Sequence, residues 1–335
     1  MTGMMQGWVT WARRVMRFQR FVAIWMMGSW AAVVGAEVNW AAVVGAEVNP
    51  ASFAYVLQAD RLAATKAAAV ERLAACGRDW IVLDSYFDGE TPWQRADLEA
   101  IRRGKPGRRV IAYLSIGEAE DYRPYWRNEW VRQGKLTPAA PVWLLPENPE
   151  WKGNYSVKYW HPEWQKLILT ALDDVMARGF DGVYLDIVDA FERFERERHK
   201  WMDNRINPET KQSYRRDMVD FVKIIAARAR MKNSAALVIP QNGTQLLQHA
   251  DFLETISAVG IEDLFTNGDK LQSPTHTSEV LQNLKAIANK NKPVLLIEYP
   301  TEAALQALSR KRAKEHGLVW LITDRQLTTL GESGR

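Results

Sequence analysis

GFDGVYLDIVDAF, residues 179–191, holds a helix stop, a turn, a strand and two carboxylates in one short run. Gly179 closes the helical pattern before it, and Asp181-Gly182 makes the turn. Val183, Tyr184, Leu185 and Ile187 form a nearly all-apolar strand of the kind buried on both faces of a parallel sheet. Asp186 interrupts that strand near its C-terminal end, and Asp189 follows. Burying an unpaired charge is expensive, so a carboxylate there needs a reason. From the residues alone three reasons stay open: an active-site acid, a cap for the next helix, or half of a core ion pair.

Outward from this segment the chain alternates short apolar runs with amphipathic stretches. Strands are expected at 51–58, 80–83, 109–114, 183–187, 237–239, 256–259, 294–297 and 318–322. Helical spacing separates them, as in Trp164, Leu167, Ile168, Ala171, Leu172, Val175 and Met176 behind Pro162. The count of eight favours a closed (β/α)8 TIM barrel over a doubly wound open sheet. No GxGxxG follows the first strand, and neither GxxxxGK[ST] nor HExxH occurs. The five histidines share no metal-ligand spacing, so neither a cofactor nor a catalytic metal is expected. The connection from Ala119 to about Tyr159 reads as irregular and is rich in Trp and Tyr. Most of these rings are expected to pack against the body, with two or three left exposed as sugar platforms. Residues 191–210, FERFERERHKWMDNRINPET, read as a charged, solvated extension of the connection after strand four.

The chain has 335 residues and a formal charge of +4. Arg13, Arg14, Arg17 and Arg20 are the only charges before Glu37, so without residues 1–36 the chain carries 40 basic and 40 acidic groups. No basic patch suited to nucleic acid remains. The four arginines precede FVAIWMMGSWAAVVGA, a run of signal-peptide character that predicts a secreted or periplasmic protein cut after Ala36. An uncleaved anchor is the competing reading. WAAVVGAEVN occurs at 30–39 and again at 40–49, a tandem duplication that places a second cleavage site after Ala46. Cys76 is the only cysteine, which rules out an internal disulfide. The expected organisation is therefore a leader over 1–36, or to 46 through the duplication, a linker over 37–50, one domain over 51–330 and a frayed tail over 331–335. A monomer without membrane insertion is expected once the leader is removed.

Acids gather at one end of the predicted strands. Asp84, Glu118, Asp186, Glu262 and Glu298 lie at or just after the C-terminal ends of strands two, three, four, six and seven. Barrel closure brings those ends to a single face, where barrel enzymes keep their active sites. A rim of carboxylates suits a divalent cation, or acid–base work on a polyhydroxylated substrate. Glycoside hydrolysis needs two carboxyl groups, one protonated and one ionised. The segments YLSIGEAEDYRPYW (113–126), NYSVKYWHPEWQ (154–165), GFDGVYLDIVDAF, IPQNG (239–243) and AVGIEDLF (258–265) together resemble the endo-α-1,4-polygalactosaminidase-type glycoside hydrolases. Bacterial members of that family are often mislabelled cysteinyl-tRNA-synthetase-related. The resemblance runs from about Ser52 to Leu330. It implies a secreted TIM-barrel hydrolase of α-1,4-linked galactosamine or N-acetylgalactosamine polysaccharide; endo action with retention is expected, and a carboxyl separation of roughly 6.5–9.5 Å in place of roughly 5–5.5 Å would indicate inversion. It also implies that Asp186 and Glu262 are the catalytic pair. Asp84, Glu118 and Glu298 are then expected to hold the sugar, with Tyr113, Tyr184, Asn242 and Tyr299 orienting it. The alternative is a sugar-binding barrel without catalysis, which explains the aromatic rings but leaves two close carboxylates without a purpose.

Overall fold

The computed structural model describes residues 49–197 and 200–335. The leader and most of its duplicated segment lie outside the described residues. Eight parallel strands carry the fold: β1 (Phe53–Val56), β2 (Trp80–Leu83), β3 (Arg109–Ser115), β4 (Gly182–Asp186), β5 (Leu237–Pro240), β6 (Val259–Glu262), β7 (Val294–Glu298) and β8 (Val319–Ile322). They form a (β/α)8 TIM barrel. Between them run α1 (Lys66–Ala75), α2 (Arg95–Arg103), α3 (Pro162–Arg178), α4 (Tyr214–Lys232), α5 (Ala250–Thr255), α6 (Pro274–Ala288) and α7 (Ala303–Glu315). Local chemistry sets the helix ends. The Thr65 and Ser213 side chains cap α1 and α4, and Pro162 opens α3, which Gly179 closes at φ 100°.

The strands β1 to β5 are hydrogen-bonded in sequence, as are β6 to β8. At one junction Gln241 and Gly260 make a parallel bridge, and Ser257 N donates to Val238 O at 2.8 Å. The other junction holds a surprise. Residues expected to fray form a strand, β9 (Glu332–Gly334), antiparallel to β8. Phe53 N of β1 donates to Ser333 Oγ at 2.9 Å, and the Arg78 guanidinium donates to Gly331 O at 2.7 Å. Exposed polar edges of β1 and β8 give the tail a place to pair, which composition alone does not reveal.

Alternation sorts the strand residues into two cores. Phe53, Tyr55, Trp80, Val82, Ile111, Tyr113, Tyr184, Leu237, Ile239, Leu295, Ile297, Val319 and Leu321 fill the barrel, while Ile81, Val110, Val183, Leu185, Val238 and Leu296 meet the helices. Each large side chain so buried is worth roughly 1.5–3 kcal/mol, which explains why β-runs here are apolar on both faces. Gly260 is required because a Cβ there would lie 1.8 Å from Tyr184 Oη.

Two sequence expectations change. Strand six begins three residues later than expected, because Ala250–Thr255 is helical and Ile256–Ala258 is its exit. Glu262 is therefore the last residue of β6 instead of a loop residue. The long connection is also more ordered than expected: Glu118–Glu120, Asn154–Val157 and Leu144–Glu147 form a small antiparallel sheet. Trp130, Trp143, Tyr155 and Tyr159 are buried, while Tyr122 and Trp151 remain 52% and 48% exposed. After β4, a helical turn and a short hairpin are tied to α4 by a buried pair, Glu195 with Arg215 at 2.7 Å.

Candidate active site

Two strands end in the same way. Asp186 closes β4 and Glu262 closes β6, and the residue after each, Ile187 and Asp263, takes a left-handed backbone with φ 56° and 51°. That conformation is uncommon for a β-branched residue such as Ile187, and backbone strain of this kind collects at functional sites. The turn stops each ladder abruptly with its carboxylate on the inward face, in line with Tyr184 and Gly260 below.

A tyrosine holds each carboxylate. Tyr113 donates to Asp186 Oδ2 at 2.8 Å, and Ile187 N donates to Oδ1 at 2.8 Å. Tyr299 donates to Glu262 Oε1, and Asn242 accepts from Glu262 N at 3.2 Å. Burial keeps both phenols protonated by pushing their pKa values well above 10, so each remains a donor to its carboxylate. Burial also raises both acids, but unequally. Asp186 is pushed up to about 6, because two hydrogen bonds to its anion oppose desolvation. Glu262 is pushed up to about 8 by desolvation and then by the Asp186 charge, with only Tyr299 and the distant Arg325 in opposition. At neutral pH one group is ionised and the other protonated, the division that acid–nucleophile chemistry requires.

A model of glycoside-hydrolase family GH114 matches residues 27–335. The chain belongs to that family. Uncharacterized proteins of Deinococcus radiodurans and Methanocaldococcus jannaschii are 38% and 36% identical to it, over 75% and 73% of this chain and 74% and 68% of theirs. Among solved structures, the glycoside hydrolase domain of PelA from Pseudomonas aeruginosa superposes with a TM-score of 0.58 at 19% identity. That match covers 85% of this chain and 99% of the domain. Aspergillus fumigatus Ega3, in complex with galactosamine, gives 0.55 at 16% identity over 76% of this chain and 87% of its own. These likenesses agree on the barrel. The GH114 assignment makes the chain a glycoside hydrolase.

The other acids of this GH114 barrel divide by environment. Asp84 points inward but is paired: Arg123 donates to its two oxygens at 2.9 and 2.7 Å. Glu118 is buried and accepts from Asn148 at 2.9 Å and Asn154 at 3.4 Å, and desolvation raises its pKa. Glu298 is 0% exposed. Its oxygens accept from Phe265 N at 2.7 Å, Thr266 N at 3.0 Å and the Thr266 hydroxyl. Glu298 thus fastens the loop after β6, and its neighbour Tyr299 faces the cleft, since consecutive strand residues point to opposite sides. Tyr184 is fully buried beneath the pair, and Asn242, at φ 58°, orients the Glu262 backbone.

Sequence reasoning missed Glu120, Arg123 and Arg325. Arg123 bonds Glu120 at 2.6 Å as well as Asp84, and lies 5.9 Å from the Tyr113 ring. Arg325 forks onto Asp263 at 2.7 and 2.8 Å and lies 4.1 Å over the Tyr299 ring. Each catalytic candidate thus hangs from a tyrosine backed by an Arg–Asp pair. The available signal was Arg123 in EAEDYR, a lone cation within an acidic and aromatic run.

A cavity of about 360 Å³ is lined by Glu118, Asn148, Ile187, Asp189, Glu192 and Arg193 among others, and Ile187 is the residue that follows Asp186. Asp189 is raised well above the usual carboxylate range by burial and then by Glu192. A second cavity of about 410 Å³, between Phe265, Leu271, Leu281 and Arg312 on the flank, has no carboxylate in its walls. Among the described residues no group of three His, Cys, Asp or Glu side chains is disposed to hold a metal ion. No helix of the described residues is long and apolar enough to cross a membrane.

Proposed function

We propose that this GH114 protein is an exported, endo-acting hydrolase of α-1,4-linked galactosamine and N-acetylgalactosamine polysaccharide, working with retention through Asp186 and Glu262. The observation that carries the reading is the pair itself: two inward carboxylates at the ends of β4 and β6, on either side of β5, titrating near 6 and near 8. Asp186 attacks the anomeric carbon as Glu262 gives its proton to the glycosidic oxygen, so the leaving chain departs neutral and a glycosyl ester forms. Glu262, now ionised, takes a proton from water. The hydroxide attacks the same carbon, the ester bond breaks, and both acids return to their first states.

The solved neighbour crystallised with galactosamine supports an amino-sugar substrate. The cavity that begins at Ile187 has Glu118, Asp189, Glu192 and Arg193 in its wall, and carboxyl groups there can accept from ring hydroxyls. Glu118 and Asp189 line that cavity, and burial favours their neutral forms, which still accept from hydroxyls. Asp84 and Glu298 act through what they hold, respectively Arg123 and the loop after β6. The arginine-flanked apolar leader supports export. Protein recovered outside the host cytoplasm is expected to begin at Glu37 or Glu47, and soluble cytoplasmic protein with Met1 intact would overturn export.

The test of function incubates the purified protein with partially deacetylated α-1,4-galactosaminogalactan and follows new reducing ends, alongside D186N and E262Q. Internal cleavage by the wild type is expected, with the α anomer appearing first by NMR. Each substitution should cost at least ~100-fold in kcat. Undiminished cleavage by both variants removes the pair. Polymer binding without cleavage makes the protein a sugar-binding barrel.

A further inference from the structure

Two polar groups inside the barrel have no hydrogen-bond partner: the Tyr184 phenol oxygen and the side-chain carbonyl oxygen of Gln241. Neither is near bulk solvent; Gln241 is 3% exposed and Tyr184 fully buried. Both meet at Gly260. Tyr184 Oη occupies the space a Cβ there would need, and Gln241 is the ladder partner of Gly260 across the β5–β6 junction. Gln241 continues the inward set Leu237 and Ile239, so its side chain faces the barrel axis one layer above them. The strands on either side of it end in the candidate pair. Gln241 N donates to Leu185 O at 2.8 Å, beside Asp186, and Glu262 stands two residues beyond Gly260.

A buried acceptor without a partner is rare in a folded protein and asks for an explanation. The nearby donors are engaged elsewhere. Tyr113 is committed to Asp186, Tyr299 to Glu262, Arg123 to Asp84 and Glu120, and Arg325 to Asp263. The Tyr184 hydroxyl lies within the same pocket of strands yet makes no bond to Gln241. The Gln241 oxygen is thus left as a free acceptor between the strands that end in the pair.

We propose that Gln241 is a substrate-contacting residue, its side-chain carbonyl accepting a hydrogen bond from an O–H or N–H of the sugar held between Asp186 and Glu262. The inference rests on the reading of those two acids as the reacting pair. It adds a specificity element. Beside the protonated Glu262, Asp186 and the Gln241 carbonyl offer acceptors to the bound ring, and the Gln241 amide nitrogen can donate in turn. In such a site a bound donor relieves an existing deficit, and loss of the acceptor weakens binding more than it alters the chemical step.

The experiment compares the full-length wild type with Q241M, which keeps length and volume but removes both polar atoms. Melting temperature and steady-state kinetics are measured on partially deacetylated and on fully acetylated galactosaminogalactan. The melting temperature is expected to hold or rise, because an unpaired buried acceptor is gone. KM is expected to rise ~10-fold or more, equal to about 1.4 kcal/mol, with kcat changing less. A rise confined to the deacetylated polymer identifies an ammonium donor, and an equal rise on both identifies a hydroxyl or the N–H that acetylation leaves in place. A packing role alone would instead lower the melting temperature and leave KM in place. If methionine is destabilising, Q241A is read in the same way, since it adds nothing to the floor. Wild-type KM and kcat in the folded variant, on every polymer the wild type cleaves, would overturn the proposal and assign the floor to a bridging water between Gln241 and Tyr184. A wild type that cleaves only a neutral polysaccharide ends the amino-sugar reading, and Gln241 is then scored on that substrate.

Discussion

Replacing Glu262 with glutamine should abolish cleavage and, at neutral and alkaline pH, make the protein more stable. Glu262 titrates near 8 in the folded chain against an ordinary value of 4.5. Below about 4.5 the carboxyl is protonated in both folded and unfolded states and contributes no difference. As pH rises from 4.5 to 8 the unfolded chain releases the proton and the folded one keeps it. The wild type therefore loses about 1.4 kcal/mol of stability per pH unit across that interval. The loss reaches about 3 kcal/mol at pH 7 and levels off at about 5 kcal/mol above pH 8. Glutamine has the shape of the protonated acid and still accepts from Tyr299, so E262Q escapes the loss. Urea unfolding at pH 5, 7 and 8.5 measures the gap between the two proteins. It should widen with pH, and it should narrow in a D186N background, because the Asp186 charge is the second cause of the raised value. A gap that is the same at all three pH values, or a less stable E262Q at pH 8.5, would refute the reasoning.

The pH profile follows from the same two groups. With the proposed roles, Asp186 ionised and Glu262 protonated, kcat/KM should rise through about 6, fall through about 8 and peak near neutrality. A profile still rising at pH 9 would contradict these roles. R123Q leaves Asp84 and Glu120 buried without their shared cation, which should cost roughly 3–5 kcal/mol of stability. Because the Glu120 charge already raises Asp186, the acidic limb should also move above 6, and an unmoved limb in folded R123Q would show that Arg123 is structural only.

Much of this barrel can be read from its sequence because parallel strands covered on both faces leave unbroken apolar runs. VYLD and VGIE announce themselves in that way, and their terminal acids stand out as charges that burial would forbid without purpose. What could not be read is the direction of each residue. Glu298 and Tyr299 are neighbours, and only one can face the axis; choosing it requires the register of β7, which is set by β6 and β8. Arg123 was hidden for a different reason. It reaches Asp84 from 39 positions away, out of a connection whose small sheet forms only when Glu118–Glu120 pairs with Asn154–Val157. The floor residue Gln241 was passed over for Asn242, because a glutamine beside an Asn-Gly turn reads as part of the turn.

The pairing of β9 with β8, and its reach to Phe53 and Arg78, gives the barrel a direction in time. Strand β1 is the first barrel strand to be synthesised and Ser333 comes after all eight, so their contact joins the earliest barrel residues to some of the latest. A nascent chain grows from its N-terminus, and until residues 331–334 emerge the cylinder lacks the piece that spans its seam. During that interval β1 and β8 present unpaired edges, the kind of surface that invites pairing with another chain. The barrel is latched by residues that a hydropathy reading would discard as a tail.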